Sequence, residues 1–332
     1  MCNLSTYQIN QYDPTRTTSL RNAFVRQMNK RFRELRGVIR KSIVEQDCFG
    51  LVSNLSTQQM QTAGRKAFAF PTSSAKVSSF MKWLQVQIDN GILQVSNIDT
   101  VGQSVNSAWS NLYIYDSYKR GILRANYEMK KAGYKVASIE QQGGIEAVMG
   151  TPLSMDRVGL LYLRTYNDLK GITDAMSGQI SRVLAQGMAD GDGPLLLARK
   201  LNRVISGMGE DLGIKDTLGR FIPARRRAEI LARTEIIRAH HKGTMQEYRN
   251  WKMEGVVVKA EFRTAGDKRV CDICAGMEGN VYTLDKAEGI IPVHPQCRCI
   301  MLPFRPGTDE PRRWDENPAV KKGTLPKLKD VK

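Results

Sequence analysis

Apolar residues recur every three or four positions over most of this chain, which is the spacing of one face of an α-helix. The segment from Arg16 to Glu45, after Asp13-Pro14, predicts an amphipathic helix with a single apolar stripe. The stripe consists of Leu20, Phe24, Met28, Phe32, Leu35, Ile39 and Ile43. The same periodicity predicts further helices at about residues 74–90, 106–131, 154–184, 195–206 and 225–250. The pattern therefore indicates a mainly α-helical protein.

The pattern changes after Gly255, where Val256 to Phe262 alternate in the way typical of a strand. We expect a small α+β module over residues 255–304, placed at the end of a domain that spans 151–304. Ahead of it, residues 1–50 are expected to form a basic helical arm, and 51–150 a helical region of unassigned role. Residues 305–332, rich in proline and charge, are expected to be a flexible tail. Extended helical arms thus complete the predicted fold class.

Charge narrows the choice of partners. The 332 residues include 50 Lys and Arg against 33 Asp and Glu, a net charge of +17, which points to an acidic partner such as nucleic acid. No run of eighteen apolar residues and no signal-peptide pattern occurs, so we expect a protein folded in a cytosol with no membrane partner.

The predicted first helix carries much of this charge. Between Arg16 and Lys41, nine basic residues stand against Glu34 alone. One interpretation is a solvated basic face over a packed stripe. The other is a face that contacts nucleic acid, without sequence specificity, or an acidic protein ring. The candidate contact residues are Arg16, Arg21, Arg26, Lys30, Arg33, Arg36 and Arg40.

Five potential metal ligands lie within thirty residues near the C-terminus. Cys271 and Cys274 form a Cys-x-x-Cys pair, and His294, Cys297 and Cys299 follow after a loop. This spacing is typical of tetrahedral zinc. If Cys297 and Cys299 lie on a strand, both face the ion and His294 supports them. If the segment is a turn, His294 and Cys297 are the preferred ligands, and the sequence leaves both possibilities open.

These cysteines have other possible uses besides zinc binding. A disulfide or free thiols are alternatives, although cytosolic thiols are kept reduced. A redox Cys-x-x-Cys opens a helix, whereas Gly276 and Gly279 suggest a turn here. A catalytic zinc keeps an open position, and this cluster has a surplus of ligands. A closed, structural zinc site is therefore the hypothesis that we carry forward.

Several motifs together resemble the tailed-phage head morphogenesis proteins, the minor head proteins similar to protein F of phage Mu. The most specific are residues 267–274 and 294–299, with support from 164–168, 187–193 and 232–235. The resemblance covers about residues 155–304. The segment Asp13-Pro14-Thr15-Arg16-Thr17-Thr18, with the basic helix that follows it, is also similar to the N-termini of such proteins.

The resemblance implies a virion component at the portal vertex or in the head interior, present in the host cytoplasm during assembly. It implies contacts with the portal protein and other head proteins, with packaged double-stranded DNA as a further partner, and no catalysis.

Two other classes of function are set beside this one. A zinc-dependent nuclease would need an open coordination site and a base, for which Asp267, Asp272 and Glu278 are the nearby candidates. A nucleic-acid-binding regulator would need a recognition helix or stacking motif, and none is recognised in the sequence.

Overall fold

The computed structural model describes residues 13–51, 72–100, 103–206, 222–256 and 258–305. Within these ranges the protein is mainly helical with a small C-terminal sheet, which confirms the predicted fold class. The helices are α1 (Thr18–Arg40), α2 (Ser73–Gly91), α3 (Asn111–Lys131), α4 (Ile145–Met149), α5 (Pro152–Ala189), α6 (Pro194–Ser206), α7 (Ala224–Met253), α8 (Asp272–Gly276) and α9 (Leu284–Ala287). A π-helical turn, Lys41–Glu45, extends α1.

The strands form two small antiparallel sheets. β1 (Val95–Thr100) pairs with β2 (Gln103–Ala108), and a second sheet has the order β4 (Val281–Tyr282), β3 (Lys259–Arg263), β5 (Ile300–Phe304). In the second sheet Arg263 lies opposite Ile300. That register places the residue before β5, Cys299, at the edge of the module where the ligand-rich loops meet.

Helix α1 begins at a capping network around Asp13. Its carboxylate accepts hydrogen bonds from the backbone N–H groups of Thr15 (3.2 Å) and Thr17 (3.0 Å) and from the hydroxyl of Thr18 (2.8 Å). Arg21 closes the network with an ion pair of 2.6 Å to the same carboxylate. The network therefore fixes the turn that leads into α1, and the carbonyl of Thr17 accepts the N–H of Arg21 as the first helical hydrogen bond.

The predicted apolar stripe of α1 is buried along its whole length, from Leu20 to Ile43. The apolar face of the helix is therefore packed against the protein. Other helix limits differ slightly from prediction. The cap of α2 is Thr72, whose side chain accepts from Ala75 N, and not Ser74. Likewise α5 begins at Pro152, and the hydroxyl of Ser154 donates to the carbonyl of Val148 instead of capping the helix.

Helix α3 starts at Asn111, five residues later than predicted, because β2 occupies the preceding positions. The predicted strand likewise starts at Lys259 and not at Val256. The predicted domain boundaries stay predictions, and most of the expected linker and the tail from residue 306 lie outside the described residues. No helix in the described residues is long and apolar enough to cross a membrane.

The described residues group into two compact units. The first takes residues 13–24, 110–163, 232–256 and 258–305, and therefore holds the sheet of β3 to β5 and all the ligand-rich loops. The second takes residues 25–51, 72–100, 103–109, 164–206 and 222–231. Each unit is built from segments that are distant in sequence.

Within the first unit, α3 and α7 cross at two glycines. A Cβ at Gly121 would overlap the carbonyl oxygen of His240, and a Cβ at Gly243 would overlap that of Tyr118. The Thr244 hydroxyl lies 3.3 Å from the carbonyl of Gly121 across the same crossing. The backbones therefore touch directly, and this contact fixes the position of α7, which carries the ligand-rich module.

Replacing Gly243 with alanine should force the two helices apart and lower the free energy of unfolding by about 1–3 kcal/mol, the usual cost of overpacking. Urea unfolding followed by circular dichroism measures this change. Gly159→Ala is the matched control, because Gly159 lies in α5 with no atom within 4 Å of an added Cβ. The control should be neutral or gain up to about 1 kcal/mol, and equal losses in both variants would contradict the close crossing.

Candidate metal centre

The first ligand-rich loop is shaped by a short helix. Cys271 is the N-cap of α8, and its sulfur accepts the backbone N–H of Cys274 at 3.5 Å. From Gly276 and Gly279 the sequence predicted a turn at this Cys-x-x-Cys pair. That prediction is wrong, because the pair opens the short helix α8, which ends at Gly276. The helix turns the two sulfurs toward the same side. A Cys-x-x-Cys pair that opens a helix also occurs in redox proteins. The neighbouring side chains therefore distinguish a metal site from a redox site.

The second loop is a turn followed by an extended segment. Cys297 N donates to the carbonyl of His294 at 3.1 Å, and Gln296 at its centre has a positive φ of 63°. After the turn the side chains alternate: Cys297 and Cys299 are buried, whereas Arg298 points to Asp267. The segment is therefore a turn that ends at Cys297, and strand β5 begins only at Ile300, after Cys299.

The two loops bring the five predicted ligands together. His294 Nε2 lies 3.2 Å from the sulfur of Cys274 and 3.4 Å from that of Cys271. The sulfurs of Cys274, Cys297 and Cys299 form a second group, and in each group all ligand atoms are within 4.8 Å of one another. Cys274 belongs to both groups. The structure therefore assembles a Cys/His cluster, defined as these five residues, that could hold a metal ion.

The protonation of His294 fits a metal ligand. Its Nδ1 lies 2.8 Å from the carbonyl oxygen of Pro295, which only accepts, so Nδ1 carries the proton. Nε2 then has a free lone pair between two sulfurs. Bonds of about 2.3 Å to sulfur and 2.0 Å to nitrogen separate tetrahedral ligand atoms by about 3.5 Å, close to the two distances observed here. The donor set and its spacing therefore fit zinc.

Three sulfurs of the Cys/His cluster also lie in the hydrophobic core of the module. Contacts with the Cys274 and Cys299 thiols lower the pKa of Cys297. Contact with Cys297 is the largest cause that raises the pKa of Cys274, and contact with Cys274 is the largest cause that raises the pKa of Cys299. Buried thiolates repel one another, so by themselves the three sulfurs favour a single negative charge. A bound cation removes this restriction, because it stabilises several thiolates at once.

An ion pair between Asp267 and Arg298 holds the two loops together. Arg298 donates from both terminal nitrogens to the two oxygens of Asp267, each at 2.6 Å, and the side chain of Arg269 adds a contact of 2.9 Å. Hydrogen bonds from Arg298 are the largest cause that holds the pKa of Asp267 well below its usual range. Such a bidentate pair fixes geometry as well as distance. It anchors Arg298, which lies between two of the cysteines.

Helix α7 is the support on which the second loop rests. The backbone N–H of Gln296 donates to Thr234 Oγ1 at 3.0 Å, and Arg233 lies 3.5 Å from its side-chain oxygen. Further along α7, His241 Nε2 lies 3.0 Å from the carbonyl of Ala287. Burial lowers the pKa of His241 to about 4, so the ring is neutral. Because a carbonyl oxygen only accepts, the proton of the neutral ring lies on Nε2, which donates to Ala287.

Two more contacts extend the same support. Lys242 pairs with Glu288 at 2.6 Å, and the hydroxyl of Tyr248 donates to the carbonyl of Met301 in β5 at 3.2 Å. The sequence motif at 232–235 had suggested the family without assigning a role to Thr234. Its contact lies 62 residues away along the chain, and no local pattern indicates such a partner.

The basic candidates on α1 are placed differently from one another. Arg26, Lys30, Arg33 and Arg40 are exposed, and Arg36 is half-buried. These exposed residues of α1 form one row, which we call the basic row: Arg26, Lys30, Arg33 and Arg40. Within unit 1, Arg16 is exposed, whereas Arg21 is buried in its pair with Asp13. Burial is the main cause that lowers the pKa of Arg21. This pair occupies Arg21 inside the protein.

Fold and site together define a helical protein that carries a Cys/His cluster clasped to a long helix. Residues 178–302 match the family model described as Phage Mu protein F like protein. The match runs from α5 to β5, covers less than half of the chain, and includes α7 and the whole Cys/His cluster. No curated protein and no solved structure matches the chain. The family suggested by the motifs is confirmed over the matched residues, and it indicates a phage head morphogenesis protein.

Replacing Asp267 with asparagine removes the charge that orients Arg298. The free energy of unfolding at pH 7 should fall by about 1.5–3 kcal/mol, the range for hydrogen bonds to charged groups. The folded pKa of Asp267 lies below the unfolded value of about 3.9, so its contribution is present at neutral pH and is lost as the pH falls below about 4. The difference from the native protein should therefore narrow between pH 7 and pH 3 in urea titrations.

Asp285→Asn is the control for this measurement. The Asp285 side chain is 77% exposed and lies 3.3 Å from Arg249, so its pair is screened by solvent and contributes little. If both variants lose the same stability at pH 7, the Asp267–Arg298 pair does not hold the loops together.

Proposed function

We propose that this protein is a structural component of a tailed-phage head, located at the portal vertex or in the head interior. In this proposal it is present in the host cytoplasm during assembly, contacts the portal protein and other head proteins, and is needed for DNA packaging or delivery. The observation that carries the proposal is the family match over residues 178–302. That segment contains α7 and the Cys/His cluster, which are also the most closely tied parts of the first unit.

The geometry supports a docking role because the module and α7 form a rigid surface. Hydrogen bonds from Gln296, His241 and Tyr248 span the contact, and the Lys242–Glu288 pair adds to them. Recognition of a partner is stronger when the binding surface is ordered before contact, because less entropy is lost. We propose that this part of the protein contacts the head.

We propose zinc as the ion of the Cys/His cluster, in a structural role. Thiolate and imidazole are the ligands that zinc prefers, and their spacing fits a tetrahedral site. When bound, zinc supplies folding energy, on the order of 10 kcal/mol in small peptides. The chain's own residues set the geometry: α8 orients two sulfurs, and the turn at Gln296 positions His294.

A role without catalysis is proposed because two of the three acidic candidates for a base, Asp267 and Glu278, are already engaged. Asp267 is held by Arg298. Glu278 pairs with Arg263 at 3.0 Å and accepts the backbone N–H of Thr264 at 2.6 Å. A general base needs a free lone pair directed at a substrate or water. The engagement of these two carboxylates disfavours the nuclease alternative and leaves the exposed Asp272 as its remaining candidate.

The basic row is proposed to contact an acidic surface, with packaged DNA as the partner. The row follows one face of α1, and its opposite face is buried. A helix rises 1.5 Å per residue, so the row from Arg26 to Arg40 spans about 21 Å. That length covers several phosphates of a duplex, and such contacts are independent of sequence.

Replacing Arg26, Arg33 and Arg40 with glutamine should weaken DNA binding and flatten its salt dependence. Each lost phosphate contact reduces the slope of log K against log salt by about 0.9, so the triple variant should lose up to about 3. Binding of the full chain to random-sequence duplex at several salt concentrations measures this slope.

A triple variant with the same loss of charge, Lys170→Gln, Arg182→Gln and Arg199→Gln, is the control, because these residues are exposed on α5 and α6. It should retain most of the slope. Equal effects in the two triple variants would show that net charge, and not the basic row, determines the binding.

Phage that lack this protein should produce misassembled, unfilled or non-infectious heads, and the native gene supplied in trans should restore them. A Cys274→Ser variant should fail to restore infectivity and should be missing from purified particles, because Cys274 belongs to both ligand groups. Titres and mass spectrometry of particles measure both results.

Cys48→Ala is the control, because Cys48 is a buried free cysteine in the second unit, outside the Cys/His cluster. It should restore infectivity. Normal infectious particles without the protein would refute the proposed role. A metal-dependent nuclease activity of the purified protein that disappears in His294→Asn would favour the enzyme instead.

A further inference from the structure

The Cys/His cluster offers one ligand more than a tetrahedral ion takes. Its two groups share Cys274: one contains Cys271 and His294, and the other Cys297 and Cys299. Four of the five residues must therefore be chosen, and the backbone around each of them differs.

His294 belongs to the set because of where its nitrogen lies. Nε2 is in contact with the sulfurs of both Cys271 and Cys274, at 3.4 and 3.2 Å, and Nδ1 is occupied by the carbonyl of Pro295. A site formed by four cysteines would leave this lone pair between two thiolates without an ion of its own. With two cysteines and the histidine in place, a single position remains for Cys297 or Cys299.

The backbone selects Cys297. His294-Pro295-Gln296-Cys297 repeats the spacing of the first Cys-x-x-Cys pair, so both halves are ligand pairs three residues apart. The second pair is closed by the hydrogen bond from Cys297 N to the carbonyl of His294, and its centre is held by Thr234 through Gln296 N. Cys297 is thus positioned by the same turn that positions His294.

Cys299 is positioned by other elements. Its neighbour Ile300 pairs with Arg263 in the sheet, and its other neighbour Arg298 is held by Asp267. Burial does not separate the two cysteines, because Cys297 is 0% and Cys299 4% exposed in the same core, and both are grouped with Cys274. The choice therefore rests on the turn that positions Cys297 beside His294. A buried free cysteine that is left out of the site commonly serves as a small apolar side chain.

We infer that Cys271, Cys274, His294 and Cys297 hold the ion, and that Cys299 packs beneath them as a buried thiol. This inference rests on the proposed zinc site and adds its ligand set. The expected coordination is three sulfurs and one nitrogen.

X-ray absorption spectroscopy of the zinc-loaded full chain tests the set directly, without any substitution. The expected result is three sulfur neighbours at about 2.3 Å and one nitrogen at about 2.0 Å. Four sulfur neighbours would overturn the assignment. A chain purified from zinc-supplemented medium that contains no zinc would instead refute the proposed zinc site itself, so the two failures are distinguishable.

Substitutions separate the two cysteines. Cys297→Ser should lower zinc affinity, measured by chelator competition, by more than about a hundredfold, beyond the 10–100-fold that loss of an outer-shell partner causes. Cys299→Ala should lose less than that, keep one zinc per chain and retain the spectrum of three sulfurs and one nitrogen. The reverse order of affinities, or loss of a sulfur neighbour in Cys299→Ala, would assign the fourth position to Cys299.

Discussion

The convergence of two loops on one group of sulfur atoms is the constraint on which the C-terminal module depends. Nineteen residues separate the two loops, from Cys274 to His294. This segment contains only the end of α8 and the short elements β4 and α9. Ordering each residue costs about 1–2 kcal/mol of backbone entropy, whereas a typical hydrogen bond contributes about 1 kcal/mol. The hydrogen bonds of the two loops are too few to offset this cost. Packing of the hydrophobic core provides part of the remainder, and the ligand–ion bonds of the proposed zinc site would provide the rest.

The protein supplies the arrangement and the ion would supply the stability. The Asp267–Arg298 pair joins the loops, and Thr234 fixes the turn at Gln296, so the ligands are held close together by contacts that do not involve them. Three of the sulfurs also lie in the core of the module. Opening the Cys/His cluster would therefore open the core, so the proposed zinc site and the fold of the module would form a single cooperative unit.

The sequence predicted the long helices well because their stripes are regular and their burial follows from local periodicity. The stripe of α1 is buried as predicted. It missed β1 and β2, because Ser, Asn, Asp and Gln make up most of these strands and give no regular alternation of apolar residues. These strands are held by backbone pairing with each other, which such a pattern does not predict. It also pointed to the five residues of the Cys/His cluster, because their chemistry and spacing are local, and their role as metal ligands stays a prediction. The contacts of Thr234 and Asp267 are long-range, and a single sequence carries no signal for them.

Charge shows the same limit. Helix α1 contains Arg21, which turns inward to Asp13, and also the exposed basic row, yet both look alike in the sequence. The count of 50 Lys and Arg therefore includes side chains, such as Arg21, that are already paired inside the protein. Lys30 in the row has a partner, Glu34, at 3.8 Å, but both side chains are 60% exposed. Pairs of this kind contribute about 0–1 kcal/mol. This is too little to prevent Lys30 from leaving Glu34 to bind a phosphate. The positive face of α1 is consequently defined by which residues the fold leaves outside, and this selection, more than the total charge, determines what the helix contacts.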